Sequence, residues 1–248
     1  MDIDAIARHI VRDRAEGAPF IDFPIKTLHE GYAIQDLVTI LSGRVGGYKI
    51  GWNSPALMER YHVTQPAGAR IMAEAIRADG AEIAEDDHTS LVFEPEIAAV
   101  IGKDIGARAG DWTPEAVIAH VERFVPAFEV LDRREGGESR HAPSIIAGNV
   151  FNAGLVLGTG GAAPGADLHA MARLVVGGEE MLHAHDTAPQ PPAEALAFIA
   201  NLFTGRGDVI RAGQIVMCGT HAGLVSVPAG QEAYFEIEGL GSVRLRVV

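Results

Sequence analysis

Two short segments place carboxylates where a folding chain has most difficulty accommodating them. Phe93-Glu94-Pro95-Glu96-Ile97 and Phe128-Glu129-Val130 each set glutamate inside an otherwise apolar run. An ionised carboxylate in a low-dielectric interior costs several kcal/mol unless something positive accompanies it. A fold that buries these runs must bring cations to them; otherwise the glutamates stay at the surface. Glu94 and Glu96 are two residues apart, so on a strand they point to one face. A third glutamate from the other run can meet them across the fold. Three hard oxygen donors converging on one point suit Mg2+ or Mn2+. The pattern alone also fits a half-exposed edge strand with two solvated glutamates and a structural salt bridge at Glu129.

The chain's 248 residues suffice for one large domain or two small ones. With 48% hydrophobic and 21% charged residues, it reads as a globular protein with a substantial core, not as a disordered chain or coiled coil. The net charge of −13 is broken by no Lys/Arg run, so the basic footprint of a nucleic-acid partner is missing. Cys218 is the sole cysteine, which excludes an intramolecular disulfide and suits a reducing compartment. Its setting, Ile215-Val216-Met217-Cys218-Gly219, reads as a buried strand end with a packing role. Met1-Asp2-Ile3-Asp4 lacks the apolar segment of a signal peptide, and no stretch approaches the roughly 18 apolar residues of a membrane span. The expectation is a soluble, cytoplasmic protein.

Helical spacing runs through residues 2–16 and again from Leu28 to Ser42, where Tyr32, Ala33, Leu37, Val38 and Leu41 form the expected buried stripe and Gly43 the stop. Tyr48-Lys49-Ile50 reads as a strand, and Ser54-Pro55 opens a short helix to about Tyr61. Leu91 to Gly102 reads as an apolar strand in which Pro95 points to an edge position or a bulge. Thr113-Pro114 starts a helix expected to reach about Phe124, before the strand that carries Glu129. Strands follow at 154–158, 174–176 and 179–184, then a helix from Pro192 to about Gly205. The last segments, 214–218, 224–227, 232–237 and 242–247, read as strands separated by turns. Helices first and strands later imply an α+β fold, with a helical segment over 1–75 packed on a β-rich unit over 76–248.

Lys49 lies in Gly46-Gly47-Tyr48-Lys49-Ile50-Gly51, where the glycines admit a ligand or another backbone. It reads either as the cation for an anionic substrate or a proton carrier, or as a lysine snorkelling from a strand end. Gly158-Thr159-Gly160-Gly161-Ala162-Ala163 resembles a dinucleotide fingerprint, but Pro164-Gly165 stand where its helix should begin, so no nucleotide site is assigned. His183-Ala184-His185 is a weak metal motif without a third ligand at telling spacing, and Asp86-Asp87-His88 reads as a solvated turn near the acidic strand. No G-x-S-x-G nucleophile elbow occurs.

Several segments, in order along nearly the whole chain, resemble the fumarylacetoacetate hydrolase superfamily, in its branch of 2-oxopent-4-enoate hydratases and 4-oxalocrotonate decarboxylases. They are Glu30-Gly31-Tyr32-Ala33-Ile34-Gln35, Tyr48-Lys49-Ile50-Gly51, Phe93-Glu94-Pro95-Glu96-Ile97-Ala98 and Pro126-Ala127-Phe128-Glu129-Val130. Ala200-Asn201-Leu202, Arg211-Ala212-Gly213-Gln214-Ile215-Val216 and Gly239-Leu240-Gly241-Ser242-Val243 continue the series. The resemblance implies a mixed β-roll and one Mg2+ or Mn2+ held by Glu94, Glu96 and Glu129. It sets Lys49 beside the substrate as the catalytic residue, with Asn149 and Thr220 also among the substrate-binding positions. It further implies a small unsaturated 2-oxo acid as substrate, a metal-stabilised enolate, and a homo-oligomer or a hydratase/decarboxylase complex.

Departures from the family pattern fall on the substrate side. Pro66-Ala67-Gly68-Ala69 lacks the usual Asp after Pro; Ala147-Gly148-Asn149-Val150-Phe151 lacks the Asp and Ser of Ala-Asp-Asn-Ala-Ser. Trp52-Asn53 replaces Leu-Thr, and Gly230-Gln231 replaces Gly-Asp. The expected activity is that of a hydratase. Decarboxylation, acylpyruvate hydrolysis and a non-catalytic partner subunit are the alternatives, and His29-Glu30 does not form the water-activating pair of the hydrolases.

Overall fold

The computed structural model describes residues 2–165 and 170–248. In chain order the elements are α1 (Ile3–Ala15), α2 (Leu28–Ser42), β1 (Val45–Gly51), α3 (Pro55–Arg60), β2 (Ala67–Met72), β3 (Ile76–Ala78), β4 (Ala81–Ile83), β5 (Leu91–Ile101), α4 (Pro114–Ile118) and β6 (Val121–Asp132). They continue with α5 (Ala142–Ala147), β7 (Asn152–Leu157), β8 (Thr159–Gly160), β9 (Met171–Val176), β10 (Glu179–His185), α6 (Pro192–Thr204), β11 (Ile215–Thr220), β12 (Glu232–Ile237) and β13 (Gly241–Val247).

Local signals explain most of these boundaries. Thr27 caps α2 in a reciprocal box with Glu30, and Ser54 and Thr113 cap α3 and α4 ahead of Pro55 and Pro114. A seven-stranded sheet runs β2-β1-β11-β5-β6-β7-β3; a second runs β10-β9-β12-β13-β4, with β8 paired to β13. Both are mixed, because β1 with β11, β3 with β7 and β4 with β13 are parallel pairs. The larger sheet rolls until β2, at one end, contacts β7, beside the other end. The fold is thus the α+β roll with N-terminal helices that the resemblance implies, and β1 and β2, drawn from the first 75 residues, lie in the same sheet as the glutamates.

Alternation along β5 and β6 divides the molecule. Phe93, Ile97 and Ala99 with Phe124, Phe128 and Val130 face the second sheet, where Leu174, Phe235, Val243 and Leu245 complete the main core. The other face forms the interior of the roll, filled by Ala98, Val100, Val125 and Ala127 together with Ile71, Leu155, Ile215 and Met217. Glu94, Glu96 and Glu129 share this second face, at one end of the interior.

Four expectations need correction. The helix after Thr113 stops at Ile118, because Val121-Glu122-Arg123-Phe124-Val125 is β-branched and aromatic and pairs with the end of β5. Residues 224–227 contribute only a single bridge, Val225 to Phe93, in place of a strand. On α2 the buried stripe is Gly31, Tyr32, Ile34, Gln35 and Val38, while Leu41 is exposed. The helix is turned toward β2 and α5 by polar ties: the Gln35 amide donates to the carbonyls of Gly68 (3.1 Å) and Ile146 (2.9 Å), and the Gly68 N–H donates to Tyr32 Oη (3.0 Å). Pro95 does not mark an edge, since β5 lies between β11 and β6; the bulge is real but sits on β11.

Candidate metal centre

Glu94 pairs directly with Glu129, and Glu96 with Ala127, across β5 and β6. Paired residues share a face, so the three carboxylates project together. One oxygen from each lies within 4.8 Å of the others. Glu96 and Glu129 are 1% and 0% exposed, whereas Glu94 opens onto a cavity of about 460 Å3. Lys49, on β1 two strands beyond β5, lines the same cavity and brings Nζ to 3.2 Å from Glu129 Oε1. Gly51 lies beside it, where a Cβ would be in ordinary contact with Nζ (3.5 Å) and tight against Val150 Cγ1 (3.3 Å).

The backbone supplies one further donor. Met217 pairs with Ala98 but Thr220 with Glu96, so Cys218 and Gly219 bulge against one residue of β5. The bulge frees the Gly219 N–H, which donates to Glu96 Oε2 at 2.7 Å. It also suits Pro95, which has no N–H to offer β11 and whose carbonyl accepts from the His221 N–H at 2.8 Å. Asn152 Nδ2 donates to Glu129 Oε1 at 2.8 Å. Glu96 Oε1 and Glu129 Oε2 remain buried with no partner in the described residues.

Those two orphaned oxygens decide what the site fits. Buried polar atoms are nearly always satisfied, and an unpaired carboxylate oxygen is among the costliest exceptions. Burial, with the Glu129 charge adding to it, pushes Glu94 up to about 7. Burial and the two neighbouring carboxylates push Glu96 well above the carboxylate range, and burial raises Glu129 despite Lys49 and Asn152. For Lys49, burial opposes the charge, but Glu129, Glu94 and Glu96 outweigh it and hold the ammonium above its ordinary pKa. Three carboxylates facing one ammonium lack two positive charges, and a divalent cation with hard-oxygen preference supplies them. Among the described residues this is the single cluster of three such ligands.

The remaining sequence candidates fall as follows. Thr220 lines the cavity. Asn149 does not reach it: its Nδ2 donates to the Arg70 carbonyl (2.7 Å) and its Oδ1 accepts the Arg70 N–H (3.0 Å). This clamp holds an unusual stretch, because Asn149, Val150 and Phe151 all have positive φ (58°, 50° and 60°). A left-handed β-branched residue is strained, and here the strain turns Val150 and Phe151 into the cavity wall. Replacing Asn149 with alanine should cost about 1–3 kcal/mol in chemical denaturation, because both backbone groups of a buried Arg70 lose their partners. An unchanged midpoint would show that the clamp does not hold the turn.

Ala67 is buried beside Tyr32, Trp52 and Val150, so no carboxylate stands at that position, and Gly148 provides none either. His183 is exposed on β10, 3.3 Å from Glu180. Asp87 and His88 border a separate cavity of about 140 Å3, with Arg14 and Arg134. Sequence reasoning missed Asn152, the Gly219 N–H and Arg133, whose side chain lines the cavity. The first two depend on a turn and a bulge with no local signature, whereas Arg133 was within reach, since it continues the two-residue period of Glu129 and Leu131 just past the end of β6.

Residues 49–248 match the fumarylacetoacetate (FAA) hydrolase C-terminal family. The chain belongs to this family. Within it, a 2-keto-4-pentenoate hydratase of Burkholderia vietnamiensis is 31% identical over 220 residues, covering 86% of this chain and 83% of the relative. A 4-oxalocrotonate decarboxylase of a Pseudomonas species is 26% identical over 223 residues, covering 88% and 86%. The structure of 4-oxalocrotonate decarboxylase from Pseudomonas putida G7, complexed with magnesium and adipate, superposes with a TM-score of 0.89 at 24% identity, covering 99% of this chain and 97% of the other. The family and the branch are those that the ordered motifs implied. Among the described residues, no helix is long and apolar enough to cross a membrane.

Proposed function

We propose that this protein is a divalent-metal-dependent lyase that adds water to an unsaturated 2-oxo acid, in the manner of a 2-hydroxypentadienoate hydratase. The observation that carries this reading is the pair of buried, unpartnered carboxylate oxygens at the floor of a cavity that Lys49 also lines. Glu94, Glu96 and Glu129 would hold Mg2+ or Mn2+, which supplies Lewis acidity toward the carboxylate and keto oxygens of a 2-oxo acid.

The chain's own groups do the rest. The Lys49 ammonium, stabilised by Glu129, orients the substrate's anionic head and carries a proton to or from it. Trp52, Leu57, Leu131, Val150 and Phe151 form apolar walls that hold the carbon chain and limit water to what enters along it. Trp52 is itself fixed by stacking on Tyr61, with centroids 4.3 Å apart. The curated hydratase and decarboxylase relatives support this class of chemistry.

Decarboxylation is the second reading. One observation favours it: neither Ala67 nor Gly148 offers a carboxylate to activate water, and departure of carbon dioxide requires none. The test is the purified protein alone, with Mg2+, on 2-hydroxypentadienoate and on 2-hydroxymuconate. Loss of dienol absorbance without carbon dioxide release is expected for hydration, and carbon dioxide release from the second acid marks decarboxylation. Acylpyruvate hydrolysis needs its own substrate, and release of pyruvate and acetate from acetylpyruvate would mark it. No turnover by metal-loaded protein contradicts the enzymatic readings and leaves the passive partner subunit.

A further inference from the structure

Charge in the outer part of the cavity makes no ion pair with the head-group residues above, although Arg133 acts on Glu94 through space. Glu129, Leu131 and Arg133 alternate onto one face, and all three border the site. The chain therefore leads from the metal centre to Arg133, just past the end of β6, whose Cα lies about 13 Å from that of Glu129 at four residues of strand rise and whose side-chain charge reaches back as far as Glu94. Arg133 is half-buried, and among the described residues it makes no ion pair and no side-chain hydrogen bond. Its guanidinium lies against the backbone of Gly137, where a Cβ would fall 1.8 Å from Nη2. Arg60, exposed on α3, borders the same cavity beside Tyr61.

The other charged group of the outer cavity does not neutralise them. Glu138 is 91% exposed and lies 3.3 Å from Arg140 Nη2, so its charge is turned to solvent. Between the glutamates and the arginines the lining is apolar, with Leu57, Leu131, Val150, Phe151 and Leu224. The cavity thus offers a cation-binding floor, an apolar middle and a cationic far end. A half-buried guanidinium with no ion pair or hydrogen bond is costly to maintain, and a planar carboxylate is its best-matched ligand.

We infer that Arg133, assisted by Arg60, binds a second carboxylate at the far end of the substrate, so that the site selects 2-oxo dicarboxylic acids over acids of equal length ending in methyl. The inference rests on the reading of the floor as the 2-oxo acid site. Arg133 is the specificity-determining residue, and Gly137, with no side chain, leaves the space its guanidinium occupies.

The test measures binding by calorimetry in Mg2+ with two saturated acids, 2-oxoadipate and 2-oxohexanoate, which share head and length and lack the double bond that takes up water. Wild-type protein should bind 2-oxoadipate about tenfold or more tightly than 2-oxohexanoate, the worth of one charge-assisted contact. Arg133→Gln should bring the ratio close to one while leaving 2-oxohexanoate unchanged. Gly137→Ala, which keeps the charge but displaces it, should also reduce the ratio, and the exposed Arg60→Gln should do so to a smaller degree. Equal wild-type affinities overturn the proposal; so does an Arg133→Gln protein that weakens both acids alike, since that places the guanidinium at the head. If Mg2+ gives 2-oxohexanoate no affinity, the floor reading itself falls and the proposal with it.

Discussion

Replacing Glu96 with glutamine will abolish Mg2+-dependent turnover and leave the protein folded. Glu96 is 1% exposed, and its Oε1 has no partner, so this oxygen is free for a cation. Its Oε2 accepts the Gly219 N–H, and the amide oxygen of glutamine can accept the same bond. The substitution therefore removes a hard anionic donor and little else. Loss of a direct ligand should lower kcat/KM by at least about 100-fold. The metal-free variant should melt no lower than the wild type, because one of three mutually repelling buried carboxylates has been neutralised. Full activity of this variant in EDTA would contradict the assignment.

The second large effect concerns stability, pH and metal together. Glu94 is pushed up to about 7, and Glu96 is well above the carboxylate range, so the metal-free fold retains protons that the unfolded chain has already released. Where the native state binds more protons, stability falls as pH rises, by about 1.4 kcal/mol per pH unit for each proton retained. His221 acts in the opposite sense: burial lowers it to about 4, so it adds stability as pH rises from there to its unfolded value of about 6.5. The carboxylate effect is therefore cleanest above about pH 6.5. Lys49 loses its contribution only where pH passes its unfolded value of about 10.4, outside this window.

EDTA-treated protein should accordingly melt at a lower temperature at about pH 8.5 than at about pH 6.5. The gain in melting temperature on adding Mg2+ should be larger at the higher pH, because the cation competes with those protons. A metal-free melting temperature that rises across this range, or a Mg2+ effect that shrinks with pH, would contradict the account.

Much of the site was legible because its chemistry is written in local pattern. Glu94 and Glu96 declare a shared face through their spacing, and the glycines around Lys49 declare close approach, seen at Gly47, where a Cβ would meet the Ile215 carbonyl at 2.4 Å. What local pattern does not encode is closure of the sheet. The meeting of Lys49 with Glu129 needs β11 inserted between β1 and β5, an ordering drawn from distant parts of the chain. Pro95 shows the same limit: the proline signalled a bulge, but the bulge lies on the partner strand, at Cys218-Gly219. β2 escaped notice because Ala67-Gly68-Ala69 carries little strand propensity, and pairing with β1 and contact with α2 make it a strand. The motif offered Asn149 as a substrate-binding residue, whereas its amide is spent on Arg70, a contact that depends on the left-handed turn at residues 149–151.

The central claim is that Glu94, Glu96 and Glu129 form a divalent-metal centre, and crystals grown with Mn2+ test it most directly. The account predicts one strong anomalous peak within bonding distance of an oxygen from each glutamate, with Lys49 Nζ alongside and the Glu96 Oε1 and Glu129 Oε2 atoms no longer without partners. No peak among the three carboxylates at saturating Mn2+, or a peak held by other residues alone, would contradict it.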